Sequence, residues 1–181
     1  MNVVEPIRDR SKIDAIKWQL KDNARYLCFF ALGINTALRP GDLLALTAGD
    51  VYTAEGEVKT ILNVRAQKTH KQQRIKINKS ATEALSNLWK KEGPLDPSRR
   101  LFSWTRQHAW RLVKRWCNAV GLSELYGAHS LRKTWGYQAR MAGVSLDVIQ
   151  AKLGHSAPSV TRRYIGITAD EIENAEDRVN L

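Results

Sequence analysis

Six side chains have the types to do chemistry together: Arg39, Lys68, His129, Arg132, His155 and Tyr164. Arg39 sits in Thr36-Ala-Leu-Arg-Pro-Gly-Asp-Leu-Leu, where an apolar stretch meets a second amphipathic turn. Lys68 ends an apparent strand, inside a run from Val58 to Thr82 with seven bases and no acid. His129 and Arg132 are three apart at the start of a helical stretch, so they share a face, and a helix N-terminus attracts anions. His155 follows Leu153-Gly154, where the glycine frees the backbone to turn. Tyr164 comes nine residues later, beside Arg162 and Arg163. Singly, each has an ordinary structural account. Arg39 suits a helix C-terminus with Asp42 as a local partner, Lys68 suits a solvated hairpin tip, and a His-x-x-Arg pair suits a capped helix start. His155 suits a cap, and Tyr164 suits a core.

Together they suit attack of a tyrosine hydroxyl on a phosphodiester. Tyrosine is a covalent nucleophile once its proton is taken. Charge developing on the nonbridging oxygens needs fixed donors, which arginines supply in pairs. A lysine can give the departing sugar oxygen its proton, and a histidine can move a proton either way near neutral pH. Side-chain cations would then do the work of a metal, and no cofactor is expected. The four histidines show no HxH or HExxH spacing and no CxxC is present, so no metal set is indicated. There is no GxxxxGK[ST] loop for nucleotide hydrolysis and no GxSxG elbow for a serine hydrolase.

The charge points to the same class of substrate. The 181 residues carry a formal +11, and the last seventeen hold five acids and only one base, Arg178. A second acid-free run, Pro97 to Ser123, has six bases. A body this basic suits a polyanion, because each phosphate contact releases counterions. The 43% hydrophobic and 26% charged composition is that of a globular protein of one domain. No apolar stretch approaches the 18 residues of a membrane span, and Met1 to Arg10 has no signal-like apolar region. Cys28, between Leu27 and Phe29, and Cys117, after Trp116, read as reduced core thiols of a cytoplasmic protein.

The elements that must position these groups read as mostly helical. Apolar spacing predicts helices over Arg8–Leu20 and Ala24–Asn35, the latter stopping near Arg39 because Pro40 disfavours the α conformation before it. Pro40 opens a short helix, Gly41–Leu46. Val51–Ile77 reads as two or three antiparallel strands with a turn at Thr69–Gln72. Ser80, with Glu83 three residues on, is the expected cap of a helix to Lys91. Further helices are expected over Thr105–Val120, ended by Gly121, and over His129–Met141. Ser145 should cap one running to Leu153, Ser159–Tyr164 should form a helical turn, and Thr168 should cap a last helix to Arg178. Trp104, Trp110 and Trp116 repeat every six residues around the Thr105–Val120 helix, and at least two should be core. The fold class is α+β, mostly helical with a small antiparallel sheet.

In order and spacing the chain resembles the catalytic domain of the tyrosine recombinase (phage integrase) family, from about Ile7 to Leu181. The resemblance is carried by Thr36-Ala-Leu-Arg-Pro-Gly-Asp-Leu-Leu-Ala-Leu, His129-Ser-Leu-Arg-Lys-Thr and Leu153-Gly-His-Ser followed by Tyr164. It implies that Arg39 and Arg132 bind the scissile phosphate and that Lys68 protonates the leaving 5′ oxygen. His129 would be the acid/base partner and His155 would hydrogen-bond the phosphate. Tyr164 would form a 3′-phosphotyrosyl link in site-specific recombination. It also implies double-stranded DNA as partner and self-association as a tetramer on DNA through the segment after the tyrosine. That segment, Thr168 to Leu181, is acidic against a basic body, so docking in cis or in trans is plausible.

Two departures stand out. Asp42 occupies a position where the family commonly has glutamate. Only about 35 residues precede Arg39 and they read as catalytic domain, so the expectation is one domain over 1–181, without the family's usual N-terminal core-binding domain. Such a chain is either cut from a longer protein or a short recombinase with weaker, more salt-sensitive DNA binding. Two other readings stay open: a type IB topoisomerase-like nicking-closing enzyme, and a non-catalytic DNA-binding regulator with the same fold. For DNA contact the candidates are Lys71 and Arg74 on the hairpin, and Arg106, Arg111, Lys114 and Arg115 on the Thr105–Val120 helix. Lys133, Arg162 and Arg163 near the reacting residues complete the set.

Overall fold

The computed structural model describes residues 4–122 and 125–166. Asp9 accepts a hydrogen bond from the Ser11 amide and opens α1 (Arg10–Gln19), which buries Ile13 and Ile16. Asn23 caps α2 (Ala24–Thr36) through the Tyr26 amide. Cys28, Phe29, Phe30 and Leu32 of α2 are fully buried, which makes it the central helix. It ends at Ala37, whose φ of 58° is left-handed. Arg39 is then extended, as a residue before proline must be, and Pro40 opens α3 (Pro40–Ala45). A short helix absent from the sequence expectation follows, α4 (Ala48–Val51), closed by Asp50 accepting from the Thr47 amide and hydroxyl.

Among the described residues the sheet has two strands, β1 (Ile61–Arg65) and β2 (Gln72–Lys76), paired antiparallel with Leu62 opposite Ile75. The candidate third strand contributes a single bridge, Tyr52 to Val58. The turn closes earlier than expected, because His70 takes a positive φ of 54° and its amide reaches the Ala66 carbonyl, which frees Gln72 for the strand.

Next come α5 (Lys79–Glu92) and α6 (Arg106–Ala119). The cap of α5 is Asn78, not Ser80: Asn78 Oδ1 accepts from the Ala81 amide while its Nδ2 donates to Asn35. Thr105 caps α6, and the chain turns off it at Gly121, as its sequence indicates. The chain then forms α7 (Ala128–Met141), α8 (Leu146–Leu153) and α9 (Pro158–Ile165), and α8 and α9 each end in a left-handed glycine, Gly154 and Gly166. The helix expected from Thr168 to Arg178 lies outside the described residues.

Helix α2 packs against α5 on one side and α7 on the other. Gly33 sets the second crossing: a Cβ there would stand 2.5 Å from Leu131 Cδ1. The main core gathers Phe29, Phe102 and Trp116 edge to face, with Trp104 half-buried beside them. Trp104 precedes α6, so the three tryptophans do not share that helix, and Trp110 is exposed with Lys114 over its ring. Cys28 and Cys117 are buried free thiols, and burial pushes Cys117 up to about 12. A second, smaller core joins Ala37, Ile149, Leu153 and Ile165, flanked by Trp135 and Tyr164. It is the platform for α8 and α9. Among the described residues no helix is long and apolar enough to cross a membrane.

Candidate active site

Helix α9 brings Tyr164 against α7. The Tyr164 hydroxyl lies 2.9 Å from Nε2 of His129, and the two rings meet edge to face. The His155 ring stands on Tyr164 from another side, centroids 4.7 Å apart. Nδ1 of His155 is 3.0 Å from the hydroxyl of Thr161, which is fully buried one turn before Tyr164 on α9. Burial raises the Tyr164 phenol to about 12, and the guanidiniums of Arg132 and Arg39 pull against that rise. Burial, followed by the charge of Arg132, lowers both His129 and His155 to about 4. Both imidazoles are therefore neutral at pH 7 and able to accept a proton.

Arg132 is only 2% exposed. Its guanidinium donates to the carbonyls of Ala37 and Leu153 and also faces the Tyr164 phenol. Those carbonyls end α2 and α8, where helix dipoles are negative, so two helix C-termini offset the cost of a buried cation. Ala37 adopts its left-handed conformation at the point where it presents that carbonyl. Desolvation lowers the Arg132 pKa without removing its charge.

Arg39 faces the same centre, and its charge is felt at Tyr164, His129 and His155. Its Nη1 is buried without a partner among the described residues, as is Oδ2 of Asp42. Oδ1 of Asp42 accepts from the Gln67 amide, so the carboxylate anchors the hairpin turn and does not pair with Arg39. Arg39 lines two clefts. One, of about 450 Å³, is shared with Lys68, Arg106 and His129. The other, of about 590 Å³, runs between the hairpin residues Lys71 to Gln73 and His155 at the end of α8. Lys68 is exposed on the hairpin turn and reaches the first cleft. Tyr164 is thus gathered with His129, His155, Arg132 and Arg39, and Lys68 joins them only by sharing the smaller cleft with Arg39 and His129. Among the described residues no cluster of three or more His, Cys, Asp or Glu could hold a metal.

The DNA-contact candidates separate. Lys71 lines the larger cleft and Arg106 the smaller, where it donates to Gln67. Arg74, Arg111, Arg115, Arg162 and Arg163 are exposed, and Lys114 is partly covered beside Trp110. Lys133 differs, being 7% exposed with Nζ 5.3 Å from the centre of the Tyr164 ring. A lysine enclosed like this does not offer itself to a passing duplex as a surface contact.

Sequence reasoning missed Thr161 and the two carbonyls that hold Arg132. Backbone acceptors leave no side-chain signature. Thr161 did leave one: it is one helical turn from Tyr164 and six residues after His155.

The profile described as "Phage integrase family" matches residues 9–171. The chain is 35% identical over 175 residues to the probable integrase/recombinase YoeC of Bacillus subtilis (strain 168), covering 94% of this chain and 93% of that protein. It is 27% identical over 180 residues to tyrosine recombinase XerD of Yersinia pestis, covering 93% of this chain but 57% of the relative. Among solved structures it is similar to XerA recombinase with a TM-score of 0.75 at 19% identity, covering 98% of this chain and 64% of that one. It is similar to a lambda integrase dimer bound to a COC′ core site with a TM-score of 0.67 at 19% identity, covering 93% and 62%. At such identities these likenesses speak to the fold.

Proposed function

The chain belongs to the phage integrase family of tyrosine recombinases, and from that premise we propose that it cleaves and rejoins the strands of double-stranded DNA through Tyr164, in site-specific recombination. The observation that carries this reading is the Tyr164 hydroxyl 2.9 Å from the neutral imidazole of His129, with the Arg132 guanidinium alongside. Relatives of this fold have been solved on DNA, the lambda integrase dimer on its core site among them.

In the proposed step the Tyr164 oxygen attacks phosphorus. The O–P bond forms as the bond to the 5′ oxygen breaks, leaving a 3′-phosphotyrosyl link. The phenol proton passes to Nε2 of His129, which lies in line to receive it. Arg39 and Arg132 stabilise the charge gathering on the nonbridging oxygens, and His155 donates to one of them once the phosphate's charge has favoured its protonation. Lys68, free to swing on the exposed hairpin turn, gives its proton to the departing 5′ oxygen. Rejoining is the reverse, with a 5′ hydroxyl of either strand as nucleophile. No metal takes part in this scheme. The excess of acids over bases in the last seventeen residues supports self-association on DNA against the basic body of a neighbouring copy.

The test is incubation with a duplex nicked just downstream of the cleavage position, so that the short released fragment bearing the 5′ hydroxyl diffuses away. A denaturant-resistant protein–DNA adduct without magnesium is expected, and Tyr164→Phe should abolish it while leaving DNA affinity within about twofold, since one hydroxyl and no charge is removed. A gel shift without adduct would reduce the protein to a binding module. Relaxation of a plasmid lacking paired sites would favour a nicking-closing enzyme.

A further inference from the structure

Lys133 follows Arg132 on α7 and lies four residues after His129, so His129 and Lys133 share a face one turn apart. That face meets Tyr164, with His129 at the hydroxyl and the Lys133 ammonium at the ring. His155 covers the ring from a third direction. The segment before α1 lies over this part of α7: the Ile7 amide donates to Thr134 Oγ1, and Gln138 Nε2 donates to the carbonyls of Ile7 and Arg8. It carries Glu5 and Arg8, ion-paired at 3.3 Å, with Arg8 over the Tyr137 ring and against Gly166 at the end of α9. Lys133 is thus enclosed between the entering chain and the nucleophile.

On the reading of Tyr164 as nucleophile, we propose that Lys133 is a positioning residue for Tyr164, fixing the phenol ring between His129 and His155 through its buried ammonium and favouring the anionic character the oxygen acquires during attack. The geometry is that of a cation on an aromatic face, which strengthens when water is excluded. Burial makes Lys133 give up its proton more readily than an exposed lysine, Glu5 opposes that tendency and Arg8 adds to it. The charged or titratable groups facing it are therefore Glu5 and Arg8 from the entering segment and Tyr164 from α9, with His129 and Arg132 on its own helix.

The test compares Lys133→Gln, Lys133→Arg and Glu5→Gln in the full chain. Adduct formation is measured at saturating nicked duplex across pH. Lys133→Gln should slow it about tenfold with DNA affinity and its salt dependence unchanged, and Lys133→Arg should restore most of the rate. Glu5→Gln, at a half-buried position of the entering segment, should leave the rate at pH 7 intact and move the alkaline fall in rate to lower pH, because Lys133 then loses its proton sooner. Fluorotyrosine-labelled protein without DNA gives a readout independent of activity. The Tyr164 fluorine resonance, assigned by its loss in Tyr164→Phe, should move in Lys133→Gln and stay in Lys133→Arg. A resonance unmoved by Lys133→Gln overturns the proposal. So does a Lys133→Gln defect confined to affinity with a shallower salt slope, which would make the residue a phosphate contact. An unmodified protein that forms no adduct while the resonance still moves counts against the proposed function and leaves the Lys133–Tyr164 contact standing.

Discussion

The hydroxyl of Tyr164 and Nε2 of His129 meet at 2.9 Å within one chain, so the proposed nucleophile and its proposed proton acceptor are already in hydrogen-bond contact without any ligand. Burial and the nearby cations hold His129 near 4, well below the ordinary 6.5, and hold His155 there too. A phosphate seated between them adds negative charge and favours the imidazoliums. Both rings should therefore titrate with midpoints near 4 in the free protein when followed by NMR, and both midpoints should rise when duplex is added. Free-state midpoints at 6.5 would contradict the enclosure described for this site.

The same shifts make stability depend on pH. Below 6.5 the unfolded chain takes protons that the folded one refuses, so stability conferred by two neutral histidines is complete above 6.5 and is lost as pH falls toward 4. The better-buried His129 accounts for about 2 kcal/mol of this loss and the more open His155 for less. Urea midpoints measured between pH 7.5 and 4.5 should fall through this window. His129→Gln, which cannot take the proton, should flatten the fall.

Arg132 is held by carbonyls at the ends of two helices, so its removal should cost structure as well as chemistry. Arg132→Ala leaves the Ala37 and Leu153 acceptors buried and unanswered, a loss of about 2–4 kcal/mol. Arg132→Lys keeps the charge but cannot reach both carbonyls and the phosphate together. It should keep most of the stability and lose at least about 100-fold in adduct formation. Thermal unfolding and single-turnover cleavage, measured on both variants, separate the two roles.

Much of this centre was legible because its side chains sit where sequence speaks clearly. Pro40 announced the break that leaves Arg39 extended, and Gly154 announced the turn that aims His155. His129 and Arg132 followed from helical spacing. What was not legible depends on what lies opposite. Lys133 read as one more surface base because its burial is made by a segment 125 residues earlier and a helix 25 residues later. Ala37 gave no sign of a left-handed conformation that glycine or asparagine would have advertised. Asn78 and Ser80 are both good caps, and the choice between them rests on Asn35, which rewards the asparagine with a second hydrogen bond.

The α2–α7 crossing carries that local order to the site. Gly33 lets α2 approach Leu131, which stands between His129 and Arg132 on α7. In Gly33→Ala the new methyl would meet Leu131 Cδ1 at 2.5 Å and Cβ at 3.0 Å, so α7 must move and not merely turn a side chain. The gain in helix propensity, about 1 kcal/mol, is smaller than an overpacking cost of about 1–3 kcal/mol. Gly33→Ala should lower the melting temperature and slow adduct formation together. An increase in melting temperature with cleavage intact would show that the crossing relaxes without disturbing the site.

Lys68 should separate chemistry from folding in the opposite way, since it is exposed on a hairpin turn and supports nothing in the core. Lys68→Ala should leave the melting temperature within about 0.5 kcal/mol equivalent and slow cleavage of an ordinary duplex by about 100-fold or more. Replacing the scissile 5′ oxygen with sulfur supplies a leaving group that departs as a thiolate and needs no proton. On that substrate Lys68→Ala should cleave nearly as fast as the unaltered protein, whereas Arg39→Ala should stay slow, because Arg39 is assigned to the nonbridging oxygens. Equal defects of Lys68→Ala on both substrates would move Lys68 from proton donor to phosphate binder and leave the departing oxygen to another acid.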